Sequence, residues 1–397
     1  MKLRNNYQPN NLLFTGLNTK NKPKIANKII YFTGKPTSEE ISDIINISNK
    51  ISNKRLMDHI KALSAPEMEG RGVCQPGIEK AKQYIIDKYN DCNLKPITEL
   101  GLDTFCQDFE VPKFGIFSCY YNQLTYGKLD RVNYNMFGNL DKANLRHQEM
   151  GKTSNLLGMI KGSEKPDEYI IIAGHYDHLG KDASRNLYYP GANDDASGMA
   201  CILELAKIMS EGTPPKKSVI FAALSAEESG GYGAIHLSNE LINKGLANQV
   251  EVFDIDMIAG NAGQKVDVWD EKMPESKNMI KNVEKAAEAL GIEVKINHEE
   301  DPGTDAVRFA KYKFPSIGMS WDCARKTIPK FHTTYHCIED TVENINPEIF
   351  YKTAHLAATS GYLIANDTTP RIKTENIAKK PDAETLKKMT EIKPLKD

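Results

Sequence analysis

From residue 169 to residue 365 the chain alternates short apolar runs with segments of helical period, and this rhythm limits the folds open to it. The run "YIIIAGH" precedes a helical segment at about 196–210 and the run "SVIFAAL" at 218–224. A second helical segment at about 232–244 then leads to "QVEVFDIDM" at 249–257. A helix at 274–290, the runs "IEVKINH" and "PSIGMS", and a last helix at about 347–365 complete the series. Strands this short and apolar, separated by helices of about 12 residues, predict an α/β fold with a mostly parallel central sheet and helices on both faces. In such sheets, sites form at the carboxyl ends of the strands.

Upstream, Thr37-Ser38-Glu39-Glu40 reads as a capping box, followed by Ile41, Ile44, Ile45 and Ile47 at helical spacing. That helix should run, with a break, to about Leu63, and a second should span Ile78 to Tyr89. Strands are expected at "CQDFEVP", "IFSCYYNQLTYG" and "SNLLGMIKG". Residues 1–36, rich in Asn, Lys and Pro, read as an extension; 37–368 read as one domain, and 369–397 as a polar tail expected to be mobile. A formal net charge of −2 offers no reason to expect nucleic acid or an anionic membrane as a partner. No run approaches the roughly 18–20 apolar residues of a membrane span. Near the amino terminus the longest apolar run is Leu12-Leu13-Phe14, short of a signal-peptide core of about 7–15 residues, so the expectation is a cytoplasmic location or a leader outside this sequence. The 7 cysteines show no CxxC spacing and read as reduced thiols.

Chemistry gathers in clusters at predicted strand ends and in a loop before the last helix: "GHYDHLG" (174–180), "GANDDASG" (191–198), "SAEESGG" (225–231), "DIDM" (254–257) and "FHTTYHCIEDT" (331–341). In extended backbone residues i and i+2 share a side, so His175 and Asp177 can act together, the carboxylate orienting the ring of a metal-binding imidazole. His178 falls on the turn and reads as a supporting residue. Asp194 and Asp195 sit before a helix; either could cap it, but two packed acids call for a cation, and one carboxylate can bridge two. Glu227 and Glu228 point to different sides, so that one can bind a metal while the other serves as general base. Asp254 and Asp256 share a strand face, and His336, or secondarily His332, adds the last imidazole. Two imidazoles and three carboxylates without a thiolate suit zinc, with cobalt or manganese as substitutes.

These five clusters, in this order, resemble those of the co-catalytic dizinc aminopeptidases, a family that includes bacterial leucyl aminopeptidases, aminopeptidase Y, glutamate carboxypeptidase II, transferrin receptor and glutaminyl cyclase. The resemblance spans about residues 60–365 and includes the lead-in "LSAPEMEGRGVCQPGIEKAKQYI". It implies the zinc-exopeptidase three-layer sandwich, of phosphorylase/hydrolase type. It implies that His175 and Asp256 hold one zinc, that Glu228 and His336 hold a second, and that Asp194 bridges them. Glu227 becomes the general base and Asp177 the partner of His175, while Asp195 supports Asp194 through the unusual peptide bond the family has there. The resemblance thus picks Asp194 over Asp195 and Asp256 over Asp254, a choice the residue chemistry leaves open. The implied activity is hydrolysis of peptides with a free amino terminus.

Tyr232 and Tyr335 are candidate oxyanion donors by position. The short stretch between 112 and 150 leaves no room for the protease-associated domain of larger members, and the secretion signal usual for bacterial members is not visible. Two other readings fit the same scaffold: a single-zinc glutaminyl cyclase and a non-catalytic receptor-like member. Cyclase relatives typically break the pattern at the second acid of the Asp-Asp pair, which is intact here, and receptor-like members lose ligands that this chain retains.

Overall fold

The computed structural model describes residues 35–112, 120–123, 130–133, 150–182, 186–260, 265–299, 303–321, 334–371 and 380–382. Most of the 1–36 extension, most of the 112–150 stretch, His332 and most of the 369–397 tail lie outside the described residues. Helices α1 (Ser38–Lys50), α2 (Asn53–Leu63) and α3 (Pro76–Asp91) come first. The capping box is present: Thr37 Oγ1 accepts from the Glu40 amide at 3.2 Å, and Glu40 returns a bond to the Thr37 amide at 2.7 Å. The expected break falls at Ile51 and Ser52.

Eight strands build the main sheet: β1 (Cys106–Pro112), β2 (Met150–Ile160), β3 (Lys165–His175), β4 (Lys217–Leu224), β5 (Val250–Ile255), β6 (Val266–Trp269), β7 (Val294–Asn297) and β8 (Ser316–Trp321). Their order across the sheet is β1-β2-β4-β3-β5-β8-β6-β7. The four neighbours β4, β3, β5 and β8 run parallel, as the alternation requires. The flanks are antiparallel where β1 meets β2, β2 meets β4, and β6 meets β8.

Between and after the strands come α4 (Ala196–Ser210), α5 (Tyr232–Asn243), α6 (Lys277–Leu290), α7 (Asp305–Lys311) and α8 (Pro347–Asn366). Strand alternation divides the core between two faces. Ile170 and Ile172 of β3 join a cluster with α2, α3, α4, α6 and α8, whereas Ile171 and Ala173 join the one with α5 and α7. Each fully buried Ile contributes about 1.5–3 kcal/mol relative to exposure, so β3 is fixed in register from both sides. Arg371, inside the segment expected to be mobile, is instead held by the carbonyls of Asn248, Gln249 and Tyr169, so the fold extends past 368. Among the described residues, no helix is long and apolar enough to cross a membrane.

Candidate metal centre

β3 pairs with β4 on one side and β5 on the other, and the chain visits β4 before β5. The connections leaving β3 and β4 therefore diverge, which opens a crevice at the strand tips. His175 ends β3, and Asp256 directly follows β5. Glu227 and Glu228 occupy the turn after β4, Asp194 and Asp195 precede α4, and His336 lies in the loop ahead of α8. Backbone in the left-handed region occurs at Ala226, Met257 and His336, each at or beside one of these groups. Such conformations persist only where surrounding structure holds them, and they gather at functional sites.

The five residues expected as ligands converge. Asp194 presents one carboxylate oxygen to each of two imidazoles: Oδ1 lies 3.2 Å from His175 Nε2, and Oδ2 lies 3.0 Å from His336 Nε2. Asp256 Oδ1 approaches His175 Nε2 at 3.5 Å, and Glu228 Oε2 approaches His336 Nε2 at 3.2 Å. The Asp256 Oδ1 atom is buried without a hydrogen-bond partner, as a carboxylate oxygen awaiting a cation would be. Cys337, beside His336, turns its thiol to the Tyr335 carbonyl. The donor set is therefore nitrogen and oxygen alone, which fits zinc.

By proximity alone, two triads of possible ligands stand out among the described residues: His175, Asp195 and Asp256, and His178, Asp194 and Glu228. The two neighbouring acids differ in their hydrogen bonding. Asp195 Oδ1 accepts from the amides of Gly198 at 2.8 Å and Met257 at 3.1 Å, and its Oδ2 accepts from the His175 amide at 3.3 Å. Its carboxylate is occupied in tying β3, α4 and the end of β5 together, whereas Asp194 faces the imidazoles. The peptide bond between the two is cis. Asp254 accepts from the Ala306 amide at 3.0 Å, which pins the first turn of α7. His178 is buried, and its Nδ1 lies 2.7 Å from Glu228 Oε1, so it supports that glutamate.

Asp177 adjoins His175 in two ways: His175 Nδ1 bonds the Asp177 carbonyl at 3.1 Å, and the Asp177 carboxylate, expected to orient the ring, stands 3.8 Å from the same nitrogen, within ion-pair reach but without a hydrogen bond to it. The strand ends at His175, so strand alternation no longer governs Asp177. Its carboxylate accepts instead from the amides of Glu227 at 3.2 Å and Glu228 at 3.4 Å, fixing the glutamate turn. Of the two tyrosines, Tyr335 stacks on the His336 ring with centroids 3.6 Å apart, while Tyr232 packs against a small cluster of Phe109, Val111 and Ala226.

Three further residues escaped the sequence reading. Arg71, fully buried, gives all its guanidinium N–H groups to carbonyls: Tyr176, Leu63, Pro190, Gly191 and Asp194. Asp340 accepts from the amides of Asn193 and Asp194. Asp305, at the start of α7, is buried with neither carboxylate oxygen partnered. Arg71 lies in the "EGRG" lead-in and Asp340 in the cluster around His336, so both had a signal by position; Asp305 had none.

The electrostatics are those of crowded acids. Burial pushes the Asp177 carboxyl up to about 7 and that of Asp305 to about 6. Burial raises Asp256, with Asp194 and Glu228 adding to the rise against the pull of His175. Glu227 is half-buried, and desolvation, reinforced by Asp305 and Glu228, lifts its proton affinity well above that of an ordinary carboxylate. Two groups go the other way. Burial would raise Asp194, but His175, His178 and His336 bring it well below its usual range. Likewise, His336 and His178 overcome burial and hold Glu228 at about 2. His336 in turn rises to about 9 against its own burial, held charged by Glu228 and Asp194. In the bare chain, protons on imidazoles thus take the place of cations between carboxylates, and metal binding must release them.

Comparison with known proteins adds a family. The model of "Peptidase family M28" matches residues 155–360. A Leptosphaeria maculans protein named "Probable zinc metalloprotease" is 36% identical over 115 residues, 29% of this chain and 26% of that protein. Aminopeptidase YwaD of Bacillus subtilis is 24% identical over 243 residues, 61% of this chain and 48% of that protein. The chain thus spans about a quarter to a half of the curated relatives it matches. Among solved structures, BSAP, a zinc aminopeptidase from Bacillus subtilis, superposes with a TM-score of 0.61 at 18% identity, covering 84% of this chain and 99% of that one. At that identity the likeness speaks for the α/β fold alone.

Proposed function

The chain belongs to peptidase family M28, and on that premise we propose that it is a metal-dependent aminopeptidase that removes amino-terminal residues from peptides at a dinuclear zinc centre. His175 and Asp256 would hold one ion, Glu228 and His336 the other, with Asp194 between them. Bound there, the ions would supply the positive charge that acidifies a water and polarises the scissile carbonyl.

The chain's own residues do the rest. Glu227 takes the proton of the attacking water and returns it to the leaving amine. Its carboxylate accepts no hydrogen bond among the described residues, and its raised proton affinity suits a base that must also act as an acid. Asp177 holds the amides of Glu227 and Glu228, so the base and the neighbouring ligand keep a fixed spacing. Asp177, Asp194, Glu227, Glu228, Asp256 and Asp305, when ionised, carry more negative charge than two divalent ions offset. That excess favours a cationic substrate group, the free amino terminus, and disfavours a carboxylate.

The observation that carries this reading is Asp194, whose two oxygens face two different imidazoles. The test is Glu227→Gln, which keeps shape and removes the base. Hydrolysis of aminoacyl-nitroanilides should fall by about 100- to 10,000-fold while zinc content stays at the wild-type value of two per chain. Appreciable turnover by the variant overturns the assignment of the base, and about one zinc per wild-type chain overturns the dinuclear centre.

A further inference from the structure

The segment that leads into Asp194 is gripped on both of its polar edges. Three consecutive amides converge on one residue: Ala192 N–H donates to the Asp340 carbonyl at 3.0 Å, Asn193 N–H to Oδ1 at 2.9 Å and Asp194 N–H to Oδ2 at 3.1 Å. On the other edge, the Arg71 guanidinium takes the carbonyls of Pro190, Gly191 and Asp194, the last at 3.2 Å. The backbone of Asp194 is therefore held at its N–H by Asp340 and at its carbonyl by Arg71. Only its side chain remains to face the site.

Asp340 also belongs to the loop that carries His336. Its amide donates to the Cys337 carbonyl at 3.1 Å, and the Cys337 amide donates to Thr334, so a turn joins Asp340 to the residue next to His336. A single buried carboxylate thus ties Asp194 to the loop of His336. Among the described residues it approaches neither imidazole of the centre within ion-pair distance. Asparagine would fill the same volume but offer one side-chain acceptor where two amides point, and its NH₂ would face an N–H.

We propose that Asp340 is a positioning residue for the metal centre: it sets Asp194 and the His336 loop jointly, and the ion shared by Glu228 and His336 depends on it more than the ion shared by His175 and Asp256. This rests on the dinuclear reading above. The asymmetry follows from the connections, since Asp340 holds both Asp194 and the loop of His336 on one side but only Asp194 on the other. Residues that orient metal ligands typically change affinity by about 10- to 100-fold when altered.

The test uses the full chain, stripped of metal and equilibrated against zinc buffers, with bound zinc counted by atomic emission and the metal-free chain melted separately. Wild type should bind two ions. Asp340→Asn should keep one at wild-type affinity and bind the second about 10- to 100-fold more weakly. Asp340→Glu, which keeps both oxygens, should fall between them. Wild-type affinity for both ions in Asp340→Asn overturns the proposal. So does equal weakening of both ions with a lower melting temperature of the metal-free variant, the signature of a merely structural role. If Asp340→Asn does not fold, Asp340→Glu decides by the same criterion: selective weakening of the second ion supports the proposal, and any other pattern overturns it. A wild-type chain that binds fewer than two ions refutes the dinuclear reading before any substitution is made, and this inference falls with it.

Discussion

Replacing Gly198 by Ala should destabilise the chain, although helix propensity argues the opposite. Gly198 lies in the first turn of α4, where alanine is ordinarily favoured over glycine by about 0.8–1 kcal/mol. Here a β-carbon would stand 2.1 Å from the Ile255 carbonyl oxygen and 2.5 and 2.6 Å from the two oxygens of Asp195. Relief requires the start of α4 to move from the end of β5 by roughly 1 Å, since non-bonded heavy atoms prefer about 3.5–4.0 Å. Overpacking of this kind costs about 1–3 kcal/mol. The move also stretches the bonds from Gly198 and Met257 to Asp195, and a buried amide left unpaired costs about 1–3 kcal/mol. Set against the propensity gain, the net loss should be about 3 kcal/mol. Urea unfolding of the metal-free chain followed by circular dichroism measures it, with Gly245→Ala as control. Gly245 has a φ of 74° and no atom within 4 Å of an added β-carbon, so its loss should be only the left-handed penalty of about 1–2 kcal/mol. A Gly198→Ala chain as stable as wild type would refute the claim that α4 is packed onto the site without slack.

Two further outcomes are expected. His59, whose Nδ1 lies 2.7 Å from the Tyr84 hydroxyl, is pushed by burial from 6.5 down to about 4. The unfolded chain therefore binds this proton first, so the stability tied to the neutral ring is complete above pH 6.5 and lost as pH falls to about 4. Thermal melts should show wild type losing up to about 3 kcal/mol more than His59→Gln across that window, and parallel curves would contradict it. Lys217 and Glu251 form a buried ion pair at 2.9 Å, with Arg371 at 3.5 Å from the same Glu251 oxygen. Lys217→Met alone, which leaves Glu251 only the more distant Arg371, should cost about 3 kcal/mol by urea unfolding, and Lys217→Met with Glu251→Leu should recover most of it; no recovery would rule out the under-compensated Glu251 charge as the cause.

The fold was readable where side-chain pattern dictates it. The parallel core strands announce themselves as apolar runs because both of their faces are buried, and the helices of 11 or more residues show their period. Helix α7, with seven residues, is too short to carry a period, and the four-residue strand β6, buried throughout, shows no polar-apolar pattern of exposure and runs antiparallel to its neighbour β8. The candidate site was readable as residue types at strand ends. What was not readable is held by backbone: Arg71 and Asp340 act on carbonyls and amides, which leave no mark on the identity of their partners. Asp177 shows the same limit. Alternation paired it with His175, but the strand had already ended, and the carboxylate turned to the amides of Glu227 and Glu228.

The division of labour around Asp194 is open to direct observation. Crystals grown with zinc and measured at the zinc absorption edge should give two anomalous peaks about 3.5–4 Å apart. One should lie between Asp194, His175 and Asp256, and the other between Asp194, Glu228 and His336. A single peak, or two peaks with Asp194 bound to neither, would contradict the account.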